Sequence, residues 1–403
     1  MSNSRPRVPP PPSSVSRVEP SSLAGLPATV TQLKYVCFSW PNNPTTKRDP
    51  IAQAYFKAHV QMSTFTASLG GFPLVLFEGA LGRDKPIELF LGDGQCRTLL
   101  DGLADKMGPT RARATWKKDA VHDLARVEGL TAWRFPDQEA LEARFGQLKD
   151  LNDFYETATR HEALVRSREV VGRILAEPRL EARFVSVDIE TWERDHDLVT
   201  EVGFAKSTWR NGKFESIETR HFVVQENSRL RNGRYCPDAR DHFHFGTTET
   251  LPAESLLKLL REQLVTPSAP VFLLLHDARS DLKSLQLLGL STSHFTHASP
   301  LPSPDHERGY TDPDGGGNYL IDTQVLSSGF NRKKKQARLG DAVTHLGISF
   351  GDRSSPKFGG GLENDSRTSA GQLRPDELKF HNAGNDALAT LLLFWKLMEP
   401  DGE

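Results

Sequence analysis

Five side chains in the second half of the chain have the types and spacing to do chemistry together: Asp188, Glu190, Asp281, His381 and Asp386. Asp188 and Glu190 lie in Val185-Ser186-Val187-Asp188-Ile189-Glu190-Thr191, which alternates as a strand does, so residues two apart face the same way. Two carboxylates therefore leave one strand side by side. Asp281 follows a second apolar run, Val271 to Leu275, within His276-Asp277-Ala278-Arg279-Ser280-Asp281. His381 and Asp386 belong to His381-Asn382-Ala383-Gly384-Asn385-Asp386, which opens an apolar helical stretch. Four acids gathered at one place repel too strongly to ionise without counter-charge. Hard divalent cations take oxygen ligands, and two of them roughly 4 Å apart clamp the attacking and leaving oxygens of an in-line displacement. The set is what hydrolysis of a phosphodiester would require. Asp188, Glu190, Asp281 and Asp386 would hold two Mg²⁺ or Mn²⁺ ions. His381, with an ordinary pKa near neutrality, would take the proton of the attacking water.

Taken singly, these residues have plainer readings. Asp281 also fits a helix cap, His381 a helix start, and Asp386 a surface acid. Their order and spacing together favour the metal site. Asp322, at a strand end, reads as a structural hydrogen-bonder, and His276 and Asp277 as structural or supporting groups.

Positioning such a set needs an α/β domain, expected over residues 181–400. Its strands fall at 183–190, 199–209, 217–225, 270–275 and 319–323, and its helices at 253–265, 279–288, 338–346 and 383–398. Asn211-Gly212 is a hairpin turn between the second and third strands. Antiparallel strands followed by β-α-β alternation predict an RNase H-like mixed five-stranded sheet flanked by helices. The stretches 290–317 and 350–374 read as mobile surface insertions. Gly359-Gly360-Gly361 is not a phosphate loop, because no strand precedes it and no Lys-Ser/Thr follows.

The first half is organised differently. Residues 1–28 are rich in Pro and Ser and predict a disordered tail. Its Pro9-Pro10-Pro11-Pro12 run reads either as a solvated tail or as a polyproline ligand for a protein partner, and the domain that follows is a second candidate to bind one. Residues 29–135 predict a small α+β domain of unknown role, with strands at Phe72–Phe77 and Ile87–Leu91 and helices at Arg97–Lys106 and Asp119–Val127. His122 is expected on a helix surface. Arg111, Arg113, Lys117 and Lys118 around Trp116 read either as a solvated face or as a nucleic-acid patch with a stacking aromatic. Residues 136–180 predict a helical connector, with Leu141, Phe145, Leu148, Leu151 and Tyr155 at helical spacing.

Composition sets outer bounds. The chain has 403 residues and a formal net charge of −2, so no global basic field draws it to nucleic acid. Cys37, Cys96 and Cys236 are far apart and form no paired metal spacing, which fits a reduced intracellular compartment, nuclear and/or cytoplasmic. No apolar run reaches the roughly 18 residues of a membrane helix, and Met1-Ser2-Asn3-Ser4 followed by prolines is no secretory signal. Local charge is available: Arg229, Arg231, Arg234 and Arg240 in one loop, and Lys333 to Lys335 with Arg332 and Arg338, are both candidates to track a phosphate backbone. The lysine run equally fits a nuclear-localisation patch or solvated charge. Phe243 and Phe245 are candidates to stack a terminal base or to pack into the core.

Three motifs resemble those of the DEDDh 3′→5′ exonuclease superfamily. Asp188-Ile189-Glu190-Thr191 is similar to its first motif, Asp281 with His276 five residues upstream to its second, and His381-x-Ala383-x-x-Asp386 to its third. Ile321-Asp322-Thr323-Gln324-Val325-Leu326 and Leu339-Gly340-Asp341-Ala342-Val343-Thr344-His345-Leu346-Gly347-Ile348 resemble the family's supporting strand end and short helix. The resemblance covers about residues 182–398. Within the superfamily a fungal branch, linked genetically to an mRNA-export DEAD-box helicase, is similar through Arg231 to Gly246 and through the third motif. The second motif departs from the usual pattern, with Ser280 where an aromatic is common and Asp277 where an asparagine is. The resemblance implies removal of nucleoside monophosphates from the 3′ end of RNA or single-stranded DNA. The rival reading is a nucleic-acid-binding or scaffold protein in RNA metabolism or mRNA export that keeps the fold without turnover.

Overall fold

A computed structural model describes residues 8–19, 26–82, 85–177, 179–265, 269–297, 317–332, 336–350 and 377–399. The chain divides into two compact units, Met1–Tyr155 and Glu156–Glu403.

The first unit is built on a six-stranded sheet: β1 (Ser16–Val18), β2 (Thr29–Gln32), β3 (Leu74–Ala80), β4 (Ile87–Gly92), β5 (Val121–Asp123) and β6 (Glu128–Phe135), in the order β1-β6-β3-β4-β2-β5. Every pairing is antiparallel. Helices α1 (Pro44–Lys47), α2 (Pro50–His59), α3 (Phe65–Ser68), α4 (Asp93–Met107) and α5 (Pro109–Thr115) complete it with the first turns of α6 (Gln138–Leu175). Trp40, Phe56, Phe65, Leu91 and Phe135 fill its core. A buried ion pair ties α6 to the sheet: Arg144 Nε and Nη2 donate to Glu78 at 2.8 and 2.7 Å.

Two expectations for this half are corrected. Part of the tail over 1–28 is structured, because Val15 and Val18 are buried and β1 pairs with β6. The Pro9 carbonyl also accepts from Arg144 Nη1. A composition dominated by Pro and Ser hides two valines that gain more from burial than the segment loses in freedom. The helix expected over Asp119–Val127 is instead two short 3₁₀ turns around β5, and His122 pairs with Val30 across strands. Trp116 does not reach out from its basic neighbours. It packs edge-on against Tyr35 and Trp40, and Arg111 pairs with Asp49.

In the second unit the strands are β7 (Ala182–Trp192), β8 (Asp195–Arg210), β9 (Lys213–Phe214), β10 (Glu218–Val224), β11 (Thr248–Leu251), β12 (Val271–Leu275), β13 (Phe295–His297) and β14 (Asn318–Asp322). They form one sheet in the order β11-β10-β8-β7-β12-β14-β13, with β9 alongside β8. β10-β8-β7-β12-β14 are the five strands expected from the sequence, antiparallel on one side of β7 and parallel on the other. This is consistent with an RNase H-like fold, widened by the short β9, β11 and β13. Asn211 and Gly212 both take positive φ, 53° and 74°, as a tight hairpin requires, but the turn joins β8 to β9, and β10 pairs further along β8. The helices are α7 (Ala253–Leu264), α8 (Ala278–Leu287), α9 (Thr323–Phe330), α10 (Leu339–His345) and α11 (Ala383–Met398).

Side-chain alternation along β7 decides which face the acids occupy. Val185, Val187 and Ile189 pack with Leu256, Leu260 and Leu285 of α7 and α8. Ala182 and Phe184 pack with Phe394 and Trp395 of α11. Ser186, Asp188 and Glu190 share the second parity and so the α11 face. Most of the insertions at 290–317 and 350–374, and Lys333 to Lys335, lie outside the described residues.

Candidate active site

β7 delivers the first two acids toward the start of α11, and the approach is close because β8 offers a glycine there. Asp188 is paired in register with Gly203 and Glu190 with Glu201. A Cβ on Gly203 would lie 2.0 Å from the Ala383 carbonyl oxygen and 2.4 Å from the Gly384 nitrogen. Only a bare backbone at 203 lets the first turn of α11 seat on the sheet. Gly384 is constrained in turn, since a Cβ there would meet the Phe243 ring at 2.6 Å and His221 Cβ at 2.7 Å. Ser186 then fastens the contact by donating its hydroxyl to the Ala387 carbonyl at 2.6 Å.

The start of α11 is held by amides. Asn382 caps the helix, its side-chain oxygen accepting from Asn385 N at 3.1 Å, while its amide donates to the carbonyls of Ala239 and Arg240. Asn385 reaches the same loop, accepting from His244 N and donating to the His242 carbonyl. His381 takes a left-handed backbone, φ 66°, which turns its N–H back onto Asp386 Oδ2 at 2.9 Å. The five-residue spacing in the third motif thus has a local cause: the histidine's own backbone orients the last acid.

Oxygens of Asp188, Glu190 and Asp386 lie within 4.8 Å of one another. Asp281, in the first turn of α8, falls outside that group, but its charge is felt at Asp188. Burial, and then the charges of Asp386, Asp281 and Glu190, push Asp188 well above the usual carboxylate range. Asp281 and Asp386 are raised in the same way, burial first and neighbouring acids second. Glu190 is pushed up to about 7 by burial and by Glu201. Asp281 Oδ2 and Asp386 Oδ1 are buried with no hydrogen-bond partner. An all-oxygen set with orphaned lone pairs and unrelieved repulsion fits hard divalent cations.

His381 stands at the rim, its side chain 49% exposed and its Nδ1 3.9 Å from Glu190 Oε1. Burial and the nearby Arg338 charge lower its pKa below the ordinary histidine value, so the ring is neutral and able to accept a proton near pH 7. The supporting residues behave as structural ones. Asp322 accepts from Gln324 and Val325 N–H to cap α9 and from Ala278 N–H at the start of α8. His276 lies between Thr323 Oγ1 and the Ala337 carbonyl and is pushed down to about 4 by burial. Asp277 adopts a left-handed backbone, φ 70°, before α8.

Glu201 is the acid that the motifs do not mark. It is buried beside the cluster and raises Glu190 and Asp386, yet it is itself paired, with Arg240 Nε and His221 Nε2 each at 3.0 Å. Arg240 also donates to the carbonyls of Ser228 and Leu230. It is therefore committed to holding its loop and is not available to a phosphate. Arg231 is likewise engaged, by Asp238 and Asp241. Phe245 is buried and Phe243 packs beneath α11, so neither is presented to a base.

Three acids from β7 and α11 thus converge on a sheet consistent with an RNase H-like fold, with Glu190 facing the His381 ring and Asp281 felt at Asp188. Residues 183–352 match the family model described as DNA polymerase III subunit epsilon-like, C-terminal domain. The match supports the DEDDh exonuclease superfamily and a nuclease-type function; it takes in Asp188, Glu190 and Asp281 and stops short of His381 and Asp386. Two curated fungal proteins are similar. The uncharacterized nucleolar protein C2C4.08 of Schizosaccharomyces pombe is 28% identical over 107 residues, 27% of this chain and 41% of its own length. The uncharacterized protein YDR514C of Saccharomyces cerevisiae is 25% identical over 229 residues, 53% of this chain and 40% of its own. The chain thus spans about two-fifths of the length of the curated relatives it matches. Neither name carries a link to a helicase. No helix among the described residues is long and apolar enough to cross a membrane.

Proposed function

We propose that the domain over residues 181–400 is a metal-dependent 3′→5′ exonuclease acting on RNA or single-stranded DNA. The observation that carries it is the convergence of Asp188, Glu190 and Asp386, the first two partly buried and the last buried, within 4.8 Å, an arrangement whose repulsion cations would relieve. Divalent cations bound by Asp188, Glu190, Asp281 and Asp386 would supply charge at the attacking and departing oxygens. The chain's own part is to fix that geometry and to move one proton. β7 and α11 bring Asp188, Glu190 and Asp386 together, and α8 carries Asp281. His381 accepts the proton of the attacking water at Nδ1, the ring nitrogen turned toward the acids. The nucleolar name of the fission-yeast relative supports a nuclear place of action.

The test is degradation of 5′-labelled oligonucleotides in Mg²⁺ or Mn²⁺ by the full chain and by an Asp188→Ala, Glu190→Ala double variant. The expected result is a ladder shortening from the 3′ end that the double variant does not produce. Oligonucleotide binding without turnover would replace the enzyme with the scaffold reading.

A further inference from the structure

β7 runs past Glu190 to Trp192, and the next residue, Glu193, turns its carboxylate into the long connection between β10 and β11. The backbone N–H groups of Gly233, Arg234, Tyr235 and Cys236 converge on Glu193 Oε2 at 3.2, 3.0, 2.7 and 3.3 Å. Asn232 closes the joint from the other side. Its amide donates to the Thr191 carbonyl at 3.1 Å, and its side-chain oxygen accepts from Glu193 N–H at 2.9 Å. Residues 232–236 are therefore sewn to the residues that directly follow Glu190. The Cys236 thiol is raised by burial and then by the charges of Glu190 and Glu193, so the loop stands within electrostatic reach of the acid cluster.

On this fixed loop Tyr235 is 70% exposed, the highest figure for a large hydrophobic residue among the described residues. The Arg234 guanidinium lies 5.1 Å from its ring centroid. An aromatic ring on a mobile tip would need no explanation, since single exposed apolar residues are ordinary. Here the backbone beneath the ring is pinned at every residue, and the ring still faces water. A ring with a cation beside it is the combination that holds single strands, because every base has a π-face to stack and every linkage a phosphate to attract.

We propose that Tyr235 is the stacking platform for a base of the single-stranded substrate, with Arg234 drawing the adjoining phosphate and Glu193 as the positioning residue that fixes the platform beside the acids. The inference rests on the exonuclease reading and deepens it. Recognition through a π-face accepts any base and disfavours a paired end, whose terminal base is already stacked.

Two measurements on the full chain test it: steady-state degradation of a labelled single strand, and fluorescence of an oligonucleotide carrying 2-aminopurine at its 3′ end, read in an Asp188→Asn background to prevent turnover. Tyr235→Ala should raise KM roughly 5- to 100-fold while changing kcat by no more than about two-fold. Tyr235→Phe should restore KM, and Tyr235→Leu, which keeps bulk without a π-face, should not. Quenching of 2-aminopurine should survive in Tyr235→Phe and vanish in Tyr235→Ala. Glu193→Gln should reproduce part of the KM rise, because the charge on which four N–H groups converge is lost. Equal KM and equal quenching in wild type and Tyr235→Ala, with turnover intact, would overturn the platform and leave the nuclease standing. A wild-type chain that neither binds nor shortens any oligonucleotide would remove both.

Discussion

His381 is fixed by its backbone, through the left-handed turn that gives its N–H to Asp386, while its ring stays half exposed. Backbone and ring therefore have separable duties. Replacing the ring by Ala should leave the N–H contact and the acid cluster in place. We expect His381→Ala to lower kcat by about 10²- to 10⁴-fold, the usual contribution of a positioned general base, with Mn²⁺ uptake by calorimetry unchanged. Lost Mn²⁺ uptake would reassign the histidine to holding the metal site. At this scale the sequence was readable wherever a residue belongs to a spaced motif. Asp188, Glu190 and Asp386 come together as their spacing predicts. Asp281 lies near them, outside the tightest group. Glu201 was not readable, since a single acid in Val199-Thr200-Glu201-Val202 gives no sign that Arg240 and His221 will close around it.

Among the elements, the seat of α11 on β8 is the decisive contact. It needs bare backbone at both Gly203 and Gly384, and Asn382 and Asn385 lock the adjoining loop to it. A methyl group at 203 would run into backbone, which cannot swing aside as a flexible side chain can. We expect Gly203→Ala to cost about 1–3 kcal/mol of stability and to displace Asp386 from Asp188. Thermal melting and nuclease assay together check this; a variant that melts and cleaves like wild type would show that the helix shifts without consequence. Strand and helix positions in this unit followed from periodicity. The elements that reading missed are α9 and the short strands β9, β11 and β13, whose 2, 4 and 3 residues are too few to establish a period. The region around β5 failed for a related reason, because its apparent helical spacing in Asp119–Val127 was overridden by pairing with β2.

For the whole molecule, the acid cluster makes stability depend on pH and on cations. With its pKa raised from 4.5 to about 7, Glu190 binds a proton more tightly in the folded chain than in the unfolded one. Without cations, the folded state is therefore favoured at low pH, and that advantage is lost as pH rises between those two values. Asp188, Asp281 and Asp386 shift in the same direction. Cations that bind only the folded acids restore the loss by mass action. Mg²⁺ or Mn²⁺ should thus raise Tm more at pH 8 than at pH 5, and equal increments at both would mean that the carboxylates do not converge on a metal. This coupling could not be read from composition, since a net charge of −2 conceals three carboxylates within 4.8 Å of one another and a fourth nearby.

The seating of α11 also bears on when a ribosome-bound chain completes its acid cluster. Asp188 and Glu190 emerge some two hundred residues before Asp386, and the turn that aims that last acid forms only when the helix behind it has docked. An unfinished polypeptide therefore carries Asp188 and Glu190 without the third carboxylate that completes their cluster.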